Sequence, residues 1–258
     1  MNYKLVALDL DGTLLNDDHK ISKSTSEYIK ILRQKGIIFT IITGRMYCSA
    51  RMIAEQLGIE NDFLICYNGA LIRKGEDIIS HIYLEKDISE ELINNIKEDL
   101  LIFISDRLYV RAKTPNTEEY TDRSKVFANS FLSMDYHGDK ITKLIIIPSK
   151  DFLEYEKKMK YKFGKKAYIT HSTNRFLEIM NPSVSKANAL KRYCEYFHIP
   201  LEQTISFGDG MNDIEMLKES GLGIAMENSW EVVKKSADDI TLSNNEDGVY
   251  HYLKNIFG

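Results

Sequence analysis

Three strongly apolar runs near the start of the chain, KLVALDL, IIFTII and FLIC, restrict its folding more than any other feature. Each is strand-length and too apolar to leave either face in water. Helix-length stretches lie between them. Ser24 to Lys35 carries Ile29 and Leu32 on one face and stops at Gly36, and Met46 to Leu57 ends at Gly58. Apolar strands alternating with helices form a parallel sheet covered on both faces. The last quarter has the same character. It reads as a helix from Lys186 to His198, the strand TISFGD, a short helix from Asp213 to Ser220 and the strand GLGIAM, with helices near Trp230 to Ser236 and Val249 to Ile256.

The middle of the chain differs. Between Tyr83 and Pro182 a helix is predicted at Ser89 to Leu100, with short strands around Ile102 to Ile104 and Leu108 to Val110. Then come the strand KLIIIP, a charged helix from Lys150 to Phe163, and strands near Ala167 to His171 and Phe176 to Met180. Adjacent strand pairs indicate an antiparallel sheet with helices on one face. The chain is therefore expected to be an α/β protein in two parts: a discontinuous core, residues 1–82 and 184–258, and an inserted α+β domain, residues 83–183.

A chain of 258 residues is long enough for two such parts. Its net charge of −4 makes no electrostatic case for nucleic acid or an anionic membrane as the main partner. The lysines from Lys157 to Lys166 are interleaved with acidic neighbours and read as a solvated helix face. The cysteines, Cys48, Cys66 and Cys194, form no C-x-x-C pair and are odd in number, which argues against a disulfide framework and for a reducing cytoplasm. A carboxylate arrives at Asp9, too early for a signal-peptide apolar region, and no apolar run approaches the ~18 residues that span a bilayer. A soluble, cytoplasmic protein is expected, with the oligomeric state open between a monomer and a weak dimer.

Two aspartates interrupt this picture. Asp9 and Asp11 fall where Gly12 and Thr13 break the first strand. Ligands of open α/β sheets bind outside such carboxyl ends, and side chains two apart on a strand point the same way, so both acids can face one site. The second strand ends in Thr43-Gly44-Arg45: a hydroxyl, an unobstructed backbone and the start of a helix, which together can seat an anion. TISF runs into GDGMND, where Asp209, Asn212 and Asp213 cluster oxygen ligands suited to a hard cation such as Mg²⁺. Lys186 heads a helix, where its charge opposes the dipole unless an anion lies near. Taken singly, each has an ordinary reading as a turn, a cap or an exposed charge. Together they place carboxylates, an anion seat and a lysine on core element ends that can meet at one sheet edge, as phosphoryl transfer requires. The chain has no P-loop, no G-x-S-x-G elbow, no H-E-x-x-H and no C-x₅-R, and its six histidines are scattered.

DLDGT at Asp9, the strand-end Thr43 with Gly44-Arg45, Lys186 in VSKANAL and GDGMND at Asp209 resemble, in order, the motifs of the haloacid dehalogenase superfamily. The insertion resembles a type C2B cap on a Rossmann-like core. YNGALI at Tyr67, LEIMNPSVSK at Leu177 and AMENS at Ala225 resemble the Cof-type, sugar-phosphatase-like IIB subgroup. The sequence has Ala187 after the lysine and Glu227 in AMENS where the subgroup often has Gly.

The resemblance implies a Mg²⁺-dependent phosphatase of small phosphorylated metabolites. Asp9 would be the nucleophile that becomes an aspartyl-phosphate. Asp11 would be the general acid and then the base, protonated near neutral pH because another carboxylate is close. Thr43 and Lys186 would bind the transferring group with Asn212. Asp9, the Asp11 backbone carbonyl and Asp209 would hold the metal, with Asp213 in support. Gly44, Arg45 and Asn68 would line the entrance, and the cap would contribute specificity through contacts anywhere between Tyr83 and Pro182; Tyr109, Arg111, Tyr136 and Arg175 are plausible there, though each reads more readily as ordinary cap structure. A phosphomutase would share every one of these residues. A phospho-accepting receiver fits poorly, because the acid pair sits on the first strand and the insertion is large.

Overall fold

The computed structural model describes residues 3–133, 140–149, 151–171 and 173–258. In chain order, the first core segment runs β1 (Leu5–Leu8), α1 (Lys23–Gln34), β2 (Ile38–Ile42), α2 (Tyr47–Leu57), β3 (Phe63–Cys66), a 3₁₀ turn at Tyr67–Gly69, β4 (Leu71–Lys74) and β5 (Asp77–His81). The middle contains α3 (Lys86–Asn95), β6 (Asp99–Ile104), β7 (Arg107–Val110), α4 (Pro115–Ser124), β8 (Ala128–Ser130), β9 (Ile141–Ile147), α5 (Phe152–Phe163), β10 (Tyr168–His171) and β11 (Leu177–Met180). The last segment contains α6 (Lys186–Phe197), β12 (Thr204–Gly208), α7 (Ile214–Glu219), β13 (Leu222–Ala225), α8 (Glu231–Lys234), β14 (Asp239–Ile240) and α9 (Gly248–Phe257).

An eight-stranded sheet has the order β14-β13-β12-β1-β2-β3-β4-β5. The strands from β14 to β3 run parallel, as the continuous apolar sequences of β1, β2, β3, β12 and β13 predict; β14, a short exposed strand at the edge, carries no such signal. Residues of β1 divide between the two faces: Val6 and Leu8 pack with Ile29, Leu32 and Leu253, while Leu5 and Ala7 pack with Leu190, Tyr193 and Met216. Helices α1, α2 and α9 therefore cover one face, and α6 and α7 the other. The β4–β5 hairpin, which adds two antiparallel strands at the edge, was not evident in the sequence. β4 buries only Leu71 and Ile72, and β5 is exposed from Asp77 to Ile79, so neither a long apolar run nor a helix period marks them.

A second sheet has the order β10-β11-β9-β6-β7-β8 and is antiparallel except for the parallel β7–β8 pair. On one face lie α3 and α5, whose Ile88, Leu92, Met159 and Phe163 pack against Ile102, Leu144 and Ile146. The opposite face, through Leu101, Phe103 and Ile145, joins the apolar cluster of the parallel sheet. Phe103 meets the core residue Tyr67 edge-on, with ring centroids 5.8 Å apart. The inserted sheet is therefore docked by a buried apolar seam as well as by the polar contacts described below. Helix α3 begins and ends several residues earlier than predicted, and α4, a polar helix started by the Thr114 capping box and Pro115, was not predicted. Among the described residues, no helix is long and apolar enough to cross a membrane.

Candidate active site

The carboxyl ends of β1, β2 and β12 meet the docked inserted sheet around a cavity of about 380 Å³. Asp9, Asp11, Thr43, Gly44, Arg45, Asp209 and Asn212 line it from the core, as their places at strand ends predict. Lys186 lies beneath. It is the first residue of α6, whose N-cap Ser185 side chain accepts from the Asn188 amide, and it is 1 % exposed. Its Nζ donates to Asp9 Oδ1 at 2.5 Å and to Asp213 Oδ1 at 2.7 Å. These are the anions that a lysine at a helix start requires. Burial works against the ammonium, but Asp213 and Asp9 outweigh it and hold its pKa above the ordinary lysine value.

Asp9, Asp209 and Asp213 bring one ligand oxygen each to within 4.8 Å of one another. Asp213 is fixed by its second oxygen, which accepts from the Asp209 and Gly210 amides at 3.2 and 3.0 Å. Asp209 accepts from the Thr13 hydroxyl at 3.0 Å. Burial, opposed by Lys186 and reinforced by Asp213 and Asp11, pushes the Asp9 carboxyl up to about 7. Burial and the neighbouring Asp9 and Asp213 push Asp209 well above the carboxylate range. Hard oxygen donors whose own charges repel form a set that suits a hard divalent cation, and one lysine does not neutralise it. The loop after β1 comes close to this cluster. Gly12 has φ +75°, and a Cβ there would lie 2.3 Å from Asp209 Oδ2, so both conformation and space require glycine.

Asp11 lies apart from the three acids. Arg45 Nε donates to its Oδ2 at 2.7 Å and an Arg45 Nη to its Oδ1 at 2.5 Å. Burial alone would raise the Asp11 pKa, but the hydrogen bonds and charge of Arg45 prevail and lower it. This corrects the expectation of a carboxyl protonated near neutral pH. The neighbour that decides its state is the guanidinium, not the other carboxylate. Arg45 is thus a partner of Asp11 as well as a lining residue.

Thr43 is 1 % exposed, and its Oγ1 accepts from the Arg45 amide at 3.2 Å. Asn68 is fully buried in a left-handed conformation, φ 55°. Its Oδ1 accepts from Asn212 Nδ2 at 2.9 Å, and its Nδ2 donates to Glu178 Oε2 at 2.8 Å. Glu178 also pairs with Lys143 at 3.4 Å, and Lys143 donates to the Gly44 carbonyl at 2.7 Å. A buried polar chain therefore runs from the inserted sheet to the GDGMND turn.

Lys143 and Glu178 escaped the sequence reading, together with the cavity-lining Tyr120, Arg123 and Phe176. Lys143 and Glu178 had a signal: each is a lone charge inside an otherwise buried strand, ITKLIII and LEIM. Of the inserted-domain candidates, Tyr109, Arg111 and Arg175 are not among the cavity-lining residues and serve as ordinary structure of that domain. Arg111 donates to the Ile96 carbonyl at 2.5 Å, Arg175 pairs with Glu119 on the surface, and Tyr109 packs against the sheet's outer cluster. Tyr136 lies outside the described residues.

Residues 6–253 match the family model described as haloacid dehalogenase-like hydrolase. Among curated proteins, the chain is 28 % identical to Phosphatase YwpJ of Bacillus subtilis, over 98 % of this chain and 99 % of that one. It is 32 % identical to the 5-amino-6-(5-phospho-D-ribitylamino)uracil phosphatase YcsE of the same organism, over 96 % and 94 %. Among solved structures, it superposes on the subclass IIB sugar phosphatase BT4131 with a TM-score of 0.83 and 26 % identity, covering 98 % of both chains. A parallel core with acids at its strand ends and an inserted sheet above them defines a haloacid dehalogenase-like hydrolase, and the chain belongs to that family. Within it the chain falls in the Cof-type IIB branch, and its enzyme class is phosphatase.

Proposed function

We propose that the protein is a Mg²⁺-dependent phosphatase of small phosphorylated metabolites, sugar phosphates or compounds like them, working through an aspartyl-phosphate in a reducing cytoplasm. The observation that carries this reading is the arrangement around Asp9. A buried carboxylate faces the cavity, touches Lys186 at 2.5 Å and shares a cluster of acids fit for a hard cation.

The proposed roles follow from the contacts. Asp9 attacks phosphorus, and the phosphoryl group is transferred to its carboxylate as the alcohol leaves. Lys186 offsets the charge that would repel a phosphate dianion from Asp9, and Thr43, Gly44 and Asn212 receive the phosphoryl oxygens. Once the incoming dianion competes for Arg45, Asp11 takes up a proton from solvent, gives it to the leaving oxygen and, ionised again, takes the proton of the water that attacks the phosphoenzyme. Asp9, the Asp11 carbonyl and Asp209 are the proposed metal ligands, with Asp213 in support. When bound, the metal supplies charge neutralisation that keeps Asp9 ionised and the phosphoryl group polarised. Support for the Asp11 carbonyl is the close passage of the Gly12 backbone by Asp209.

The proposed division of the chain is 1–82 and 184–258 for catalysis against 83–183 as the cap. It is supported by the strands: each strand of the eight-stranded sheet falls in the first set and each of the six-stranded sheet in the second. Three free thiols accord with the reducing setting. A panel of phosphorylated metabolites, assayed for phosphate release with and without Mg²⁺, tests the function. Asp9→Asn should lower the rate by about three orders of magnitude or more. Absence of Mg²⁺-dependent release across the panel would overturn it.

A further inference from the structure

Helix α2 lacks an N-cap of its own. Its Ncap residue, Met46, offers no side-chain acceptor, and no acidic residue occupies its first turn. The first amides of a helix need acceptors, and its N-terminus carries partial positive charge. Both needs are met from the inserted sheet. The Asp106 carboxylate accepts from the Tyr47 amide through Oδ1 and from the Cys48 amide through Oδ2, each at 3.0 Å. Its Oδ1 also accepts from the Tyr67 hydroxyl at 2.8 Å.

The turn that carries Asp106 is built around this contact. Ser105 and Asp106 connect β6 to β7 in a two-residue hairpin loop, and both are left-handed, with φ of 50° and 56°. Glycine is the favoured second residue of such a loop. Aspartate tolerates the conformation less well but places a carboxylate at the tip of the hairpin.

We propose that Asp106 is a positioning residue: an N-cap supplied from the inserted sheet, which clasps that sheet to the core and fixes one wall of the cavity. The segment it grips follows directly on Thr43-Gly44-Arg45. The 3₁₀ turn at Tyr67–Gly69 is tied to the same segment, since the Tyr67 amide donates to the Arg45 carbonyl at 3.0 Å and the Asn68 amide to the Thr43 carbonyl at 2.8 Å. One carboxylate therefore holds both turns. With the sheet docked, Arg45 meets Asp11 and Asn68 meets Asn212. With the sheet withdrawn, α2 loses its cap and the buried Tyr67 hydroxyl loses its acceptor. Lys143 on the Gly44 carbonyl, and the Ser49 hydroxyl on the Ser124 carbonyl at 3.2 Å, also bridge the two parts, but neither satisfies the helix amides. Asp106 is not among the residues lining the cavity, so it acts on the chemistry only through α2 and Tyr67.

Residue-resolved amide exchange on the whole protein without substrate tests the clasp, and its outcome does not depend on the phosphatase reading. In Asp106→Ala, the Tyr47 and Cys48 amides are expected to exchange at least about fivefold faster, as for loss of an N-cap, while β1 and β12 keep their protection. Asp106→Asn retains one acceptor oxygen and suits the left-handed turn, so it should lose protection at one of the two amides. It carries the test if the alanine variant does not fold. Steady-state turnover of p-nitrophenyl phosphate with Mg²⁺ tests the coupling: Asp106→Ala should raise KM about fivefold and change kcat less, with Asp106→Asn between it and wild type. Unchanged exchange at both amides in either variant, or faster exchange spread equally over β1 and β12, overturns the clasp. Lost protection with unchanged kinetics overturns its coupling to the cavity.

Discussion

Arg45 grips Asp11 at two points, with Nε 2.7 Å from Oδ2 and an Nη 2.5 Å from Oδ1. A fork-to-fork pair of this kind is among the stronger hydrogen-bonded contacts of a protein, and it favours the ionised carboxylate. The structure thus represents Asp11 ready to accept a proton. To donate one, it must first lose its hold on Arg45, and a phosphate dianion in the cavity competes for the same guanidinium.

The acid role of Asp11 has a leaving-group signature. Asp11→Asn should slow hydrolysis of an alkyl phosphate by about 10²-fold or more, within the usual range for a lost general acid. Hydrolysis of p-nitrophenyl phosphate, whose leaving group needs no proton, should fall far less in its first step. Burst kinetics with both substrates separate that step from breakdown of the phosphoenzyme. Equal slowing of both substrates in the burst would remove Asp11 from the acid role.

The crowding of Asp9, Asp209 and Asp213 predicts opposite effects on stability and on metal response. Asp209→Asn removes one of three mutually repelling acids while leaving an oxygen for the Thr13 hydroxyl. Without metal, its Tm at pH 7.5 should rise, by about 2–4 °C for each kcal/mol of repulsion relieved. Wild type should gain about 2.7 kcal/mol at a Mg²⁺ concentration a hundredfold above its Kd, and the variant should gain little. Thermal melts with EDTA and with Mg²⁺ check both signs.

Lys143 and Glu178 form an ion pair with side chains 1 % and 6 % exposed. Removing one partner leaves the other buried and uncompensated. Lys143→Met should therefore destabilise the protein by about 3–5 kcal/mol. The double variant Lys143→Met with Glu178→Gln should recover much of that loss, because no charge is stranded. Urea denaturation of the single and double variants measures the coupling. Strictly additive effects would show that the pair does not act as one unit.

His81 gives a pH dependence of folding. Burial holds its pKa down to about 4 from 6.5, with Lys140 and Arg73 adding to the effect, and its Nε2 lies 2.8 Å from the Thr142 hydroxyl of the inserted sheet. The unfolded chain binds a proton at this residue below pH 6.5, and the folded chain does so only near 4. The neutral imidazole's contribution is thus fully present above 6.5 and is lost as pH falls from 6.5 to 4. Wild type should lose more stability than His81→Asn across that window. Parallel urea midpoints for the two proteins between pH 7.5 and 4.5 would refute the assignment.

Asp9, Asp11, Thr43, Asp209, Asp213 and Lys186 were legible in the sequence because local signals mark them: apolar runs that end in acids, a turn or a helix start. The same runs determined the parallel sheet, since strands without a polar face must be covered on both sides. The tertiary structure alone decided what depends on contacts between distant segments. Arg45 becomes the partner of Asp11 across 34 positions, and this reverses the expected protonation. Asp106 becomes the cap of a helix 58 positions away. Lys143, Glu178 and Asn68 become one buried chain only when the inserted sheet docks on the core. A residue's own neighbours in sequence set its backbone and its burial, but its charge state and its role depend on the groups that folding places within about 4–6 Å.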